Sequence, residues 1–290
     1  MTRVSLFVLV ATLGCSGAAV LAAEPATPTA TSSASGRELL QPPKVSIASP
    51  ITDRLAIRGI FYSPRIATEM RNDADNGTPG TPLSAEDTLG MADRMKQGGI
   101  DLMFRMLERH RIRAAYYQQK RSGDTVLDEP IRFGNDVYRV NDRVLSDMEL
   151  RQLDVVYTYS VLRRQTVEVA FGFGVHLLQM EGRLEVPARF EEEEDSVAGP
   201  FATVAADGTW RFTERFSLNA RANYFKGDTG EVHGSYMNWH ADVQFRWKRN
   251  VAVGAGWTYN RMYVNSSDAD ESGLFRHEYK GPEAFIRVSF

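Results

Sequence analysis

From Asp53 to the carboxy terminus, apolar and polar residues alternate along the chain. The pattern is cleanest over 237–247. Met237, Trp239, Ala241, Val243, Phe245 and Trp247 take the odd positions, and Asn238, His240, Asp242, Gln244 and Arg246 the even ones. Successive side chains of a strand point to opposite faces, so this segment has one apolar and one polar face. The same period runs through 153–161, 167–177 and 251–259. It predicts ten strands, at 54–66, 98–108, 111–122, 146–162, 165–184, 200–212, 216–228, 235–247, 250–263 and 279–290. Eight strands follow if the first pair is misassigned. Twelve follow if 132–138 turns a separate hairpin, although that stretch reads better as the tip of two long strands. Ser84, with Glu86 and Asp87 after it, resembles a helix N-cap and predicts a short helix near 84–96.

Alternation alone fits a soluble sandwich as well as a membrane barrel. Four features favour an antiparallel up-and-down transmembrane β-barrel. Connections alternate between tight turns near 108–111, 163–165, 213–215 and 248–250 and longer ones near 67–97, 122–145, 185–199, 228–234 and 264–278, the pattern of periplasmic turns and outer loops. The strands reach ten residues or more, about what a tilted strand needs to cross hydrocarbon. Aromatic residues such as Trp210, Trp239, Trp247 and Trp257 mark strand ends, where amphipathic rings favour the headgroup level. The chain closes on Phe290, an ending that resembles the signal read by the barrel-assembly machinery.

The amino terminus reads as an address. Arg3, an apolar run over 4–13 and a small-residue site at Ala22 or Ala23 form a Sec-type signal peptide over 1–23. The alternative is lipid attachment at Cys15, which Thr12, Leu13 and Gly14 fit poorly. Residues 24–52, rich in Ala, Pro, Thr and Ser, predict a flexible periplasmic leader before a barrel over 53–290. The chain is thus expected in the outer membrane of a Gram-negative cell, with outer-membrane lipid, lipopolysaccharide and the assembly machinery as partners.

Composition removes other classes. The chain of 290 residues carries 34 Lys and Arg against 37 Asp and Glu, a net charge of −3, so no basic excess is available for nucleic acid. A mean hydropathy of −0.33 excludes a polytopic helical membrane protein. A single Cys excludes a disulfide framework and a Cys-based metal site.

The polar faces of the strands define the lumen. They carry Arg58, Asp101, Arg105, Arg113, Asp154, Glu168, His176, Arg221, His240, Asp242, Arg246, Glu283 and Arg287. Antiparallel register brings Arg221 near His240 and Asp242, Arg58 near Glu283, and Ser160 near Glu168. A ten-stranded barrel is narrow, whereas open aqueous channels need about 16 strands. A polar, largely plugged core of paired charges is therefore expected, with a narrow conductive or proton-relay path as the alternative.

Little catalytic signal stands out. His240 and Asp242 lie two apart on one face, as an orienting carboxylate–imidazole pair would, but mid-strand, where a protein substrate could not enter. His233 with Asp228, and His277, fall in outer loops, where solvation is the ordinary state. The acidic run Glu191, Glu192, Glu193, Glu194 and Asp195 is a candidate cation-binding loop for hard ions bridging lipopolysaccharide phosphates, or simply a solvated loop. Asp73, Asp75 and Gly77 resemble part of a calcium loop but lack its terminal Glu. No metal site and no cofactor are expected.

Four stretches carry a family resemblance: 80–90 (GTPLSAEDTLG), 109–113 (RHRIR), 131–134 (IRFG) and 172–176 (GFGVH). Through them residues 54–290 resemble a group of proteobacterial outer-membrane β-barrel proteins. The resemblance implies a fold and a location; it carries over no activity and no catalytic residue. The expectation is a non-enzymatic barrel serving surface interaction or envelope integrity. The alternatives are a narrow passive channel and an omptin-like or lipid-modifying enzyme. Oligomeric state is left open.

Overall fold

A computed structural model describes residues 49–187, 191–267 and 272–290, with side chains described outside 191–198. The signal peptide and most of the leader lie outside the described residues, as do the side chains of the candidate cation-binding run Glu191, Glu192, Glu193, Glu194 and Asp195. Among the described residues fourteen strands form: β1 Leu55–Tyr62, β2 Arg65–Asn72, β3 Leu83–Ser84, β4 Gln97–Arg105, β5 His110–Val126, β6 Ile131–Phe133, β7 Asp136–Tyr138, β8 Arg143–Arg163, β9 Val167–Val186, β10 Glu191–Arg211, β11 Phe216–Asp228, β12 Val232–Arg246, β13 Val251–Ser267 and β14 Ser272–Ser289.

β1 pairs with β4 on one side and β14 on the other, so the sheet closes on itself. β2 prolongs β1 beyond Ser63 and the buried Pro64, and continues the pairing with β14. A proline cannot donate to a ladder, so the stave breaks there and β2 swings away from β4. Counting β1 and β2 as one stave, ten antiparallel strands enclose the barrel. Closure gives every wall strand two partners, the condition for a sheet surrounded by lipid.

The outward face is apolar. Phe173 is 60 % exposed and Val204 64 %, while His176 on the inward face is fully buried. Trp210, Phe212, Phe216 and Trp247 ring the end that holds the short turns, with Trp210 and Phe212 5.6 Å apart and Phe212 stacked on Phe216 at 6.0 Å. At the other edge Trp239 stacks on Tyr259 at 5.9 Å, beside Trp257.

The strands run further outward than the sequence pattern predicts. β8 and β10 have 21 residues each, twice what crosses a bilayer. The connections expected at 185–199, 228–234 and 264–278 are therefore mostly strand. The acidic run 191–195 is not a loop; its backbone forms the start of β10, paired with 182–186 of β9. β4 leaves β5 at Gly99–Tyr117, and β11 leaves β10 at Val204–Tyr224, while β5–β8–β9–β10 stay paired to their tips. Above the apolar belt the barrel thus splits into two walls, β5–β8–β9–β10 and β11–β12–β13–β14–β2–β3.

The first outer loop fills the space between the walls. Leu83, Ala85, Leu89 and Met91 pack with Val144, Met148, Leu184 and Val186 in a dry cluster. No helix forms at 84–96. Ser84 Oγ accepts from Asp87 N at 3.0 Å, as an N-cap does, but the chain makes one turn and then extends to keep Leu89 and Met91 in the cluster. The stretch 131–138 is neither a strand tip nor part of the barrel wall. β6 and β7 form their own two-stranded sheet around Gly134 (φ 59°), tied to β2 by Gly134 N to Asn72 O at 3.0 Å. Ile131 and Tyr138 join the dry cluster.

Gly172 tests this packing. A Cβ there would lie 1.8 Å from the Tyr157 carbonyl oxygen, whereas one at Gly182 would meet nothing within 4 Å. Gly172→Ala is expected to lower stability by about 1–3 kcal/mol and Gly182→Ala to leave it nearly unchanged. Urea unfolding followed by loss of the compact unboiled gel band reads the difference.

Candidate functional site: the barrel lumen and its outer cap

Period-two alternation places all thirteen sequence-derived lumen residues on the inward face. The lowest layer is organised by Asp53, whose Oδ2 accepts from Arg246 at 2.7 Å and Arg287 at 3.1 Å. Ser49 and Ile51 are also buried, so residues 49–52, assigned to the flexible leader by composition, tuck into the periplasmic mouth instead. Arg163 donates to Ile51 O at 3.4 Å and holds them there. Beside them Arg105 grips Glu168 through both nitrogens, at 2.8 and 2.9 Å, and Ser160 Oγ donates to the same carboxylate at 2.5 Å.

The middle layer is linked across the lumen. Arg221 is the strand partner of His240, yet its guanidinium reaches Asp101 on the far wall at 2.6 Å. Arg111 and Arg113 both approach Asp207 at 3.3 Å. Arg58 meets Glu283 at 2.8 Å and Asp242 at 3.1 Å, and lies over the Phe285 ring at 3.5 Å. The His240 imidazole sits between the same two carboxylates, Nε2 2.6 Å from Asp242 and Nδ1 3.0 Å from Glu283. His240, Asp242 and Glu283 are close enough together to hold a metal ion. Arg58 already supplies the positive charge to both carboxylates, and a cation would have to displace it.

The upper layer is largely aromatic, with one carboxylate. Asp154 meets His176 Nδ1 at 2.6 Å, and Thr203 meets its Nε2 at 2.8 Å. His176 stacks on Phe201 at 5.0 Å and touches Tyr236, whose hydroxyl accepts from Gln152 at 3.0 Å and Asn260 at 2.9 Å. Above it Arg121 pairs with Glu86 of the first outer loop and donates to Thr68 Oγ1 at 2.6 Å. His277 is not solvated, as a loop position would be; it lies in β14, buried, with Nδ1 3.0 Å from Thr68 Oγ1. Burial pushes its imidazole down to about 3, and the nearby Arg121 adds to the shift.

Sequence reasoning missed Asp53, Arg111, Asp207 and the lumen tyrosines. Asp207 keeps the inward parity of Thr203 and Ala205 and is legible by counting; Arg111 sits at the edge of a predicted turn, and Asp53 at the predicted domain boundary. With them, the lumen of the described residues holds seven arginines (58, 105, 111, 113, 221, 246, 287) and seven carboxylates (53, 101, 154, 168, 207, 242, 283). Among the described residues, cavities of about 40 Å³ lie between them, one lined by Arg58, Asp101 and Arg111 and another by Tyr62, Tyr117 and His240.

Of the other candidate residues, Asp73 is saturated by Gly80 N at 2.8 Å, Arg71 Nε at 2.9 Å and Ser272 Oγ at 2.6 Å, which leaves no open calcium-loop geometry. His233 and Asp228 form an exposed pair at 3.1 Å. Phe290 exposes its ring and closes the seam, its N donating to Leu55 O at 2.8 Å.

No protein-family model matches the sequence, and no curated protein matches it. Among solved structures, the outer-membrane protease OmpT of Escherichia coli superposes with a TM-score of 0.53 at 10 % identity, over 82 % of this chain and 97 % of that one. The fold is that of an outer-membrane β-barrel. Ail, the attachment invasion locus protein of Yersinia pestis, matches at 9 % identity over 79 % of this chain and 98 % of its own, with a TM-score of 0.33. Neisserial surface protein A matches at 11 % over 81 % and 97 %, with a TM-score of 0.32. In this outer-membrane barrel the mid-wall pair of His240 and Asp242 is 5 % and 2 % exposed.

Two outcomes follow from the lumen and its cap. Arg58→Met leaves Asp242 and Glu283 buried without their cation and should cost about 3–5 kcal/mol, while Arg143→Met, at an exposed pair with Asp124, should leave the unfolding curve in place. For His277 the folded state binds its proton less tightly than the unfolded chain, whose imidazole titrates near about 6.5. The unfolded state therefore holds more protons between those values, and stability falls as pH drops from about 6.5 toward 3, by at most about 1.4 kcal/mol per pH unit. His277→Phe should flatten that part of the stability–pH curve measured by urea unfolding.

Proposed function

We propose that this chain is a non-enzymatic barrel of the Gram-negative outer membrane, exported by a Sec-type route, inserted by the barrel-assembly machinery, and sealed to solutes. Its outer cap serves surface interaction or envelope integrity. The observation that carries this reading is the filled lumen. Residues 49–53 close the periplasmic mouth, the arginine–carboxylate layers fill the centre, and the first outer loop closes the top. Moving an ion through would break several charge-assisted hydrogen bonds in a low-dielectric interior, where each unpaired member is costly. The apolar belt flanked by aromatic girdles supports the membrane setting, and the walls above it supply a platform standing clear of the lipid.

Insertion into a planar bilayer should raise no conductance steps, with insertion verified independently by the heat-dependent gel shift of the recovered protein. Reproducible open steps from the folded form would overturn the sealed-barrel reading.

A further inference from the structure

The outer wall carries a row of like charges at one height. Lys280 on β14 is the direct partner of Arg65 on β2, and Arg65 pairs in turn with Arg94 just before β4. All three residues are exposed on the outward face. Adjacent strands lie about 4.8 Å apart, so three cations stand side by side. Like charges directly opposite one another weaken a sheet. Lys280 has Glu278 at 3.1 Å; Arg65 and Arg94 take part in no ion pair among the described residues. Arg261, exposed one row higher, adds a fourth cation, while Arg276 is matched by Glu69 at 3.8 Å. Asp93, beside Arg94 in the chain, is the other exposed acid nearby.

The height of the row decides its partner. One residue pair below it, Trp257 faces Pro282, and Ala284, Ile286 and Phe61 continue the apolar belt downward. Tyr259, the partner of Lys280, stacks on Trp239 at the level where aromatic rings meet headgroups. A lipid whose acyl chains lie along the belt would place its headgroup phosphates at Lys280, Arg65 and Arg94. We propose that this row is a binding site for a phosphorylated glycolipid of the outer leaflet carrying two phosphate monoesters. A phosphodiester lipid brings one negative charge, whereas each monoester brings about −1.5 to −2 at neutral pH, so two of them neutralise the row. The inference rests on the outer-membrane placement proposed above and adds the partner and the residues that hold it.

The test uses the full chain folded in detergent and native mass spectrometry with three probes: bis-phosphorylated lipid A, the same lipid with both phosphates removed, and phosphatidylglycerol. The expected result is retention of the bis-phosphorylated probe well above the other two. Lys280→Gln, Arg65→Gln and Arg94→Gln together should weaken it roughly a hundred-fold, at about five-fold per cation. A control with the same charge change at the periplasmic turns, Arg215→Gln, Lys248→Gln and Arg249→Gln, should retain the probe. Should the triple variant not fold, the single variants Arg65→Gln and Lys280→Gln should each lose about five-fold. Equal retention of the dephosphorylated lipid, unchanged binding by the row variants, an equal loss in the control, or phosphatidylglycerol binding as tightly as the glycolipid would each overturn the proposal. Failure of the wild-type chain to insert into lipid vesicles would overturn the membrane placement instead, and is read separately from the gel shift.

Discussion

Charge neutrality inside a narrow cylinder governs this molecule. Lipid outside forces the apolar side chains outward, and strand alternation then forces every second residue into an interior only a few side chains wide. Seven arginines and seven carboxylates share that space. Isolated, any one of them would cost several kcal/mol to bury. Together they compensate one another, and the planar fork of the guanidinium matters, because it lets Arg105 hold one carboxylate with two nitrogens and Arg58 join two carboxylates from different strands. No lysine takes part in these described lumen ion pairs. A flexible point charge would hold one partner, where here the geometry needs a rigid bridge between walls.

Much of this is legible in the sequence. Period two, strand length and girdle aromatics identify a ten-strand barrel, because lipid imposes the same alternation on every stave. The inward residues follow from parity alone. What parity does not reveal is which charge meets which. Register puts Arg221 beside His240, but the side chain is long enough to span the lumen, and it pairs with Asp101 from a strand far away in sequence. Contacts across a closed sheet depend on barrel radius and stagger, which no single strand encodes. The outer segments depart from the sequence pattern for a related reason. Composition makes 191–195 look like a solvated loop, while continued pairing with β9 keeps it extended. Likewise Ser84 caps a turn, but packing of Leu89 and Met91 outweighs the local helical preference.

The outer half has a different logic from the membrane half. Once clear of lipid, the sheet no longer needs closure, and it parts into two walls where β4 and β11 stop pairing with their neighbours. The gap is filled by apolar side chains of the first outer loop, as in a small sandwich. One chain therefore contains two kinds of interior: ionic and hydrogen-bonded where its outside is greasy, dry where its outside is wet. Arg121, Glu86, Thr68 and the buried His277 mark the seam between them.

Asp53 gives the termini a joint role in assembly. Its carboxylate is held by Arg246 of β12 and Arg287 of β14, and Ala56 on the first stave ends opposite Ser289 on the last. The first stave thus finds its second partner only when the final strand arrives. A polypeptide halted short of β14 would present two raw sheet margins and an acid with one of its two counter-ions missing, so no partly built cylinder is a resting place in hydrocarbon. Completion has to be all-or-none, and the tail tucked into the mouth acts as the clasp that records it.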